Sequence, residues 1–194
     1  MRFLKAALGV LMLMAMAGFV FAGSADGDRT KGGLDGTDHD LRTRLGINQI
    51  CLPCHAPHHG VEADEGPLWN HAVTSQTFTR HGENVTLGHS SKLCMSCHDG
   101  VTAVSSYGGS IGSDPITGGA NLGNDLTDDH PVGVEYPTSG PYEPNSSAGT
   151  NVASYLEDGK VECASCHRAH GGLDGKFLRV TIVNSELCRV CHTF

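Results

Sequence analysis

Aromatic residues are scarce in this chain, with one Trp, four Tyr and six Phe among 194 residues. From residue 23 onward only eight rings remain: Trp69, Phe78, Tyr107, Tyr136, Tyr142, Tyr155, Phe177 and Phe194. A core built from those alone would be thin for this length. Basic charge is also in short supply. Lys and Arg number 13 against 21 Asp and Glu, which excludes a basic nucleic-acid surface. A hydrophobic share of 39% fits neither a membrane bundle nor a disordered acidic tail. Methionine is nearly absent, since Met95 alone lies beyond residue 22. What the chain has in excess is Gly, 26 residues, together with 8 Cys and 12 His. The glycine points to a loop-rich chain. The Cys and His point to a disulfide framework, a zinc protein or a haem protein, and spacing decides among them.

The first 22 residues read as a secretory leader. Arg2 and Lys5 precede an uncharged, mostly apolar run over 6–22, and Val20-Phe21-Ala22 supplies the cleavage site before Gly23. An uncleaved membrane anchor is the rival, but the run sits at the lower limit for a span and is rich in Ala and Gly. No Cys follows it to receive a bacterial lipid. Removal of 22 residues leaves 172, with 11 basic and 21 acidic side chains, a net charge of −10. No membrane span is expected in that mature chain.

Every cysteine belongs to a C-x-x-C-H unit: Cys51-Leu-Pro-Cys54-His55, Cys94-Met-Ser-Cys97-His98, Cys163-Ala-Ser-Cys166-His167 and Cys188-Arg-Val-Cys191-His192. This is the attachment signal for c-type haem. Two thiols about one helical turn apart reach the two vinyl groups of one porphyrin, and the adjacent His is held under the iron as proximal ligand. Zinc in Cys₄ or Cys₂His₂ sites and four disulfides are the alternatives. Neither requires a His directly after every second Cys. Four covalently attached haem c groups are therefore expected, one per 43 residues of the mature chain. Four flat apolar macrocycles supply the buried surface that the few aromatics cannot.

Each low-spin iron needs a sixth ligand, commonly Met or His in electron-transfer cytochromes. Met95 lies between the two cysteines of its own motif and cannot swing across the ring. Eight His lie outside the motifs, at 39, 58, 59, 71, 81, 89, 130 and 170, so His/His ligation is affordable throughout. Without Met ligation the potentials should be low. His58 and His170 each stand three residues after a proximal His, and on a helix that spacing points both side chains the same way. Such a His cannot cross to the far face of its own haem, but it can ligate a neighbouring one.

The chain also contains a duplication. Cys51 to His58 with Gly60 echoes Cys163 to His170 with Gly171, and Ser91-Lys-Leu-Cys94 echoes Ser185-Glu-Leu-Cys188. The domain plan is thus a leader (1–22) and a tetrahaem domain (23–194). That domain divides into one haem pair (51–98), a linker rich in Gly, Ser, Asn, Asp and Pro (99–162), and a second pair (163–192). Asp35, Asp38 and Asp40 lack the EF-hand pattern and read as a solvated loop. The expected fold is mostly irregular with short α-helices at the motifs, a compact multihaem arrangement around four stacked haems with little or no β-sheet.

The chain resembles multihaem c-type cytochromes of metal-reducing bacteria that carry the doubled C-x-x-C-H module, over residues 39–192. The carriers are His39, Cys51 to His58 with Pro57, Gly66-Pro-Leu-Trp-Asn70, Cys94-Met-Ser-Cys97-His98-Asp-Gly100, Asp128-Asp-His-Pro131 and Phe177-Leu-Arg179. Tetrahaem outer-surface members of similar length include ones that polymerise into extracellular filaments. The resemblance implies His39, His58, His130 and His170 as distal ligands, with His71 in reserve and His59, His81 and His89 at the surface or near propionates. It also implies that one protomer can donate an axial His to its neighbour, a role open to His39 on an amino-terminal arm.

Electron transfer is the leading functional expectation, either as a surface filament or as a discrete periplasmic or outer-surface shuttle. Partners would be other redox proteins or extracellular acceptors, further copies of the chain in a homopolymer, and no nucleic acid. A multihaem enzyme such as a nitrite reductase would need an open distal position over a polar pocket, and the chain has little sequence left to build one. A quinol-oxidising membrane cytochrome would need the apolar start kept as an anchor.

Overall fold

The computed structural model describes residues 33–58, 60, 68–144 and 152–194. The leader at 1–22, His59, and Gly66 with Pro67 lie outside the described residues. Regular structure is sparse, as expected from the glycine content. Among the described residues there are four α-helices: α1 (Arg42–Leu45), α2 (His89–His98), α3 (Cys163–Cys166) and α4 (Glu186–Arg189). Two antiparallel ribbons join β1 (Phe78–Arg80) to β2 (Glu83–Val85) and β3 (Val134–Glu135) to β4 (Lys160–Val161). The architecture is mostly irregular with short helices, and among the described residues these two ribbons are the β-sheets, with isolated bridges such as His55 to Trp69 beside them. None of the described helices is long and apolar enough to cross a membrane.

The β1–β2 hairpin turns through His81 and Gly82, both at positive φ (52° and 80°), the backbone that a two-residue turn needs to match strand twist. Its inner residue Phe78 packs with Met95 and Leu126, flanked by Leu87 and Val132. This is a small apolar cluster for a chain of this length. Met95 is 1% exposed within it, so the side chain between two motif cysteines serves the core.

Helix α2 is the longest element and carries the second motif. It ends where Asp99 folds its carboxylate back onto the N–H groups of Val101 (2.9 Å) and Thr102 (2.7 Å) and the Thr74 hydroxyl (2.6 Å). Helix α3, with the third motif, packs directly against α2. The tightest helix contact therefore crosses between the two halves marked by the sequence duplication. The described residues of segment 99–162 reach both halves: Leu122 N–H donates to His98 O, and the Tyr136 hydroxyl donates to Cys191 O at 2.9 Å.

The duplicated stretches are not alike in structure. Ser91 is fully buried on α2, whereas its sequence counterpart Ser185 is exposed, in a left-handed conformation (φ 60°) at the start of α4. His170 lies on a bend and not on a helix, because α3 ends at Cys166 and His167 is already extended (φ −110°, ψ 156°).

Candidate haem-attachment sites

Each motif closes one helical turn from its first cysteine to its histidine. His55 N–H donates to Cys51 O at 2.8 Å, His167 to Cys163 O at 2.9 Å and His192 to Cys188 O at 2.9 Å, while the second motif completes the same turn within α2. The turn sets the two sulfurs and the imidazole in a fixed relation, which is the requirement for holding one macrocycle at two edges and at its metal.

Hydrogen bonds also fix which imidazole nitrogen faces outward. His98 Nδ1 lies 2.7 Å from Ala120 O, and His167 Nδ1 lies 2.9 Å from Lys176 O. A carbonyl on Nδ1 keeps the proton there and leaves the Nε2 lone pair for a metal. His71 is arranged differently. It is 1% exposed, with Nδ1 2.8 Å from Ala72 O and Nε2 between Val104 O (3.2 Å) and the Cys97 sulfur (3.6 Å), so it lies against the second motif.

Three imidazoles from outside the motifs lie beside motif imidazoles. Ring centres are 6.2 Å apart for His39 and His98, 6.0 Å for His170 and His55, and 6.3 Å for His130 and His192. Two imidazoles on opposite sides of one iron, each through a bond of about 2 Å, have ring centres roughly 6 Å apart. Among the described residues no second imidazole stands at this spacing from His167, whose side chain is exposed, and His58 is exposed as well. His81 lies in the hairpin turn and His89 at the start of α2, both exposed.

His39 stacks on Phe177 at 4.3 Å. Burial, reinforced by the nearby His98, lowers its pKa and so favours the neutral, metal-binding form. On the other side of the chain Tyr142 leans on His192 with ring centres 5.1 Å apart. The acidic loop before the first motif is used locally. Asp35 and Asp40 both pair with Arg42.

The thiols cluster between motifs. Cys94 and Cys163 hydrogen-bond to each other. Burial, with Cys54 nearby, pushes the Cys97 thiol up to about 12, and burial, with Cys191 nearby, pushes the Cys166 thiol up to about 11. Consecutive motifs therefore present neighbouring sulfurs, first to second, second to third and third to fourth. No group of three or more His, Cys, Asp or Glu among the described residues converges to hold an ion. The paired thiols, the outward Nε2 atoms and the facing imidazoles suit haem c.

A family model described as the doubled CXXCH motif matches residues 156–194, which hold the third and fourth motifs. The match supports a multihaem c-type cytochrome. No curated protein matches the chain. Spacing alone marked the motif residues. It gave no sign of Tyr142 against His192, or of the buried Ser91 and Glu162 between α2 and α3, because those contacts join segments far apart in sequence.

Proposed function

We propose that this protein is a tetrahaem electron carrier with bis-histidine ligation, exported and assembled from repeated copies at the cell surface. The observation that carries the reading is the set of three facing imidazole pairs, His39 with His98, His170 with His55 and His130 with His192, at 6.0 to 6.3 Å. Haem iron ligated in this way supplies reversible one-electron transfer at low potential. The chain's own part is to hold the His98 and His167 imidazoles by their Nδ1 contacts, to bring a second imidazole to His55, His98 and His192, and to set neighbouring sulfurs so that consecutive sites stay close.

The fourth site supports assembly. His167 has no facing imidazole among the described residues, and His58 is exposed, so His58 of one copy would complete the site of His167 in the next. His39 is engaged with His98 inside the chain, which moves this donation from the amino-terminal arm to His58. The acidic surface suits basic patches on redox partners or cationic acceptors.

The test is electron microscopy of the shear-released surface fraction, alongside ferric electron paramagnetic resonance of the purified protein. The expected result is filaments with all haems low-spin, lost in His58→Ala. Small particles with every haem low-spin would make the protein a discrete shuttle. A persistent high-spin haem in the native protein would instead give the His167 site an open face and favour an enzyme.

A further inference from the structure

Between α2 and α3 a carboxylate is buried in a place that the attachment motifs do not require. Glu162 is 1% exposed. Its side chain accepts the Gly88 N–H at 3.0 Å, the Ser91 hydroxyl, and the backbone N–H of Ser165 in the first turn of α3. Ser91, itself fully buried, accepts the Cys163 N–H at 2.8 Å. One hydroxyl therefore separates the carboxylate from the first cysteine of the third motif. Ser91 also lies one turn before Cys94 of the second motif, whose thiol touches that of Cys163. The chain is shaped to admit carboxylates here: a Cβ on Gly88 would fall 2.6 Å from Glu162 Oε1 and 2.8 Å from Oε1 of Glu157, which accepts the Ser90 N–H.

We infer that Glu162 is a positioning residue for redox potential, a buried negative charge shared by the second and third haem sites that holds both below the values they would otherwise have. The inference rests on the tetrahaem reading. Its physical basis is that ferric haem carries one more positive charge than ferrous haem. A fixed anion therefore stabilises the oxidised form, and it acts further in a dry interior than in water. The donors named above for Glu162 are a hydroxyl and two peptide N–H groups, which satisfy the carboxylate without adding a charge of opposite sign. The capping of α3 is a separate role, since a glutamine at this position keeps an acceptor oxygen for the same N–H.

The experiment is a spectroelectrochemical titration of the full holoprotein carrying Glu162→Gln, with Ser91→Ala and Glu162→Asp in parallel. Haem content by pyridine haemochrome and mass tests the tetrahaem reading independently. With four haems retained, two of the four midpoints should rise in Glu162→Gln and stay near the native values in Glu162→Asp. Unchanged midpoints in Glu162→Gln, or an equal rise in Ser91→Ala, would overturn the inference. If Glu162→Gln fails to mature, redox-difference infrared spectra of protein labelled with ¹³C-glutamate decide the matter. A glutamate carboxylate band that moves on reduction and is absent from Glu162→Asp supports the inference, and no such band, or one that persists in Glu162→Asp, refutes it.

Discussion

His170, three residues past the third motif, faces His55 of the first motif across 6.0 Å. The two are more than a hundred residues apart in sequence, so this pair ties the first motif to the segment after the third. The same segment presents Lys176 O to His167 and Phe177 to His39. One short stretch after the third motif thereby serves the first, second and third sites.

On the proposed tetrahaem, bis-histidine reading, single substitutions His39→Ala, His130→Ala and His170→Ala should each convert one haem in four from low-spin to high-spin, with total haem unchanged. Ferric electron paramagnetic resonance reads this directly. His71→Ala should leave every haem low-spin, since His71 is not among the imidazoles about 6 Å from a motif imidazole. A substitution among the first three that leaves all haems low-spin removes that residue from the ligand set.

Asp99 should give the protein a share of stability that acid removes. Burial alone would raise its carboxyl, but donation from Thr74 Oγ1 and from the Val101 and Thr102 N–H groups holds it below its ordinary value. A depressed folded-state pKa stabilises above the unfolded value of about 3.9 and is lost as pH falls through the folded one. Asp99→Asn should cost about 2 kcal/mol at pH 7, and the difference from the native protein should shrink below about pH 4. Thermal melts across pH 3 to 7 give the comparison, with the prediction failing if the gap is constant.

Tyr136 should do the same at the alkaline end. Its hydroxyl lies 2.8 Å from Glu143 O and 2.9 Å from Cys191 O, and burial pushes the phenol up to about 12. A raised folded-state pKa contributes stability that is complete below the unfolded value of about 10 and disappears as pH rises toward the folded one. Tyr136→Phe should lower stability by about 1 kcal/mol at pH 7. Between pH 10 and 12 it should lose less than the native protein does, as followed by denaturant unfolding.

The acidic stretch Asp35, Asp38 and Asp40 illustrates how far local reading reaches. Composition marked it as a solvated loop, and two of its carboxylates proved to hold Arg42. The linker illustrates the opposite case. Its turn-forming residues said nothing about partners, yet Ala120 holds His98, and Tyr136 and Tyr142 brace the fourth motif.

The sequence by itself determined the chemistry and the class of fold. Four C-x-x-C-H units specify their own helical turns through bonds that span four residues, and abundant glycine with few aromatics leaves little regular structure elsewhere. Only the tertiary structure decided which imidazole meets which, that His58 and His167 stand apart from the three facing pairs, and that Glu162 is sealed between α2 and α3. Those relationships depend on loop paths between distant segments. Their register is set by closure over many residues and by a few buried polar contacts, and no short-range pattern in the chain records either.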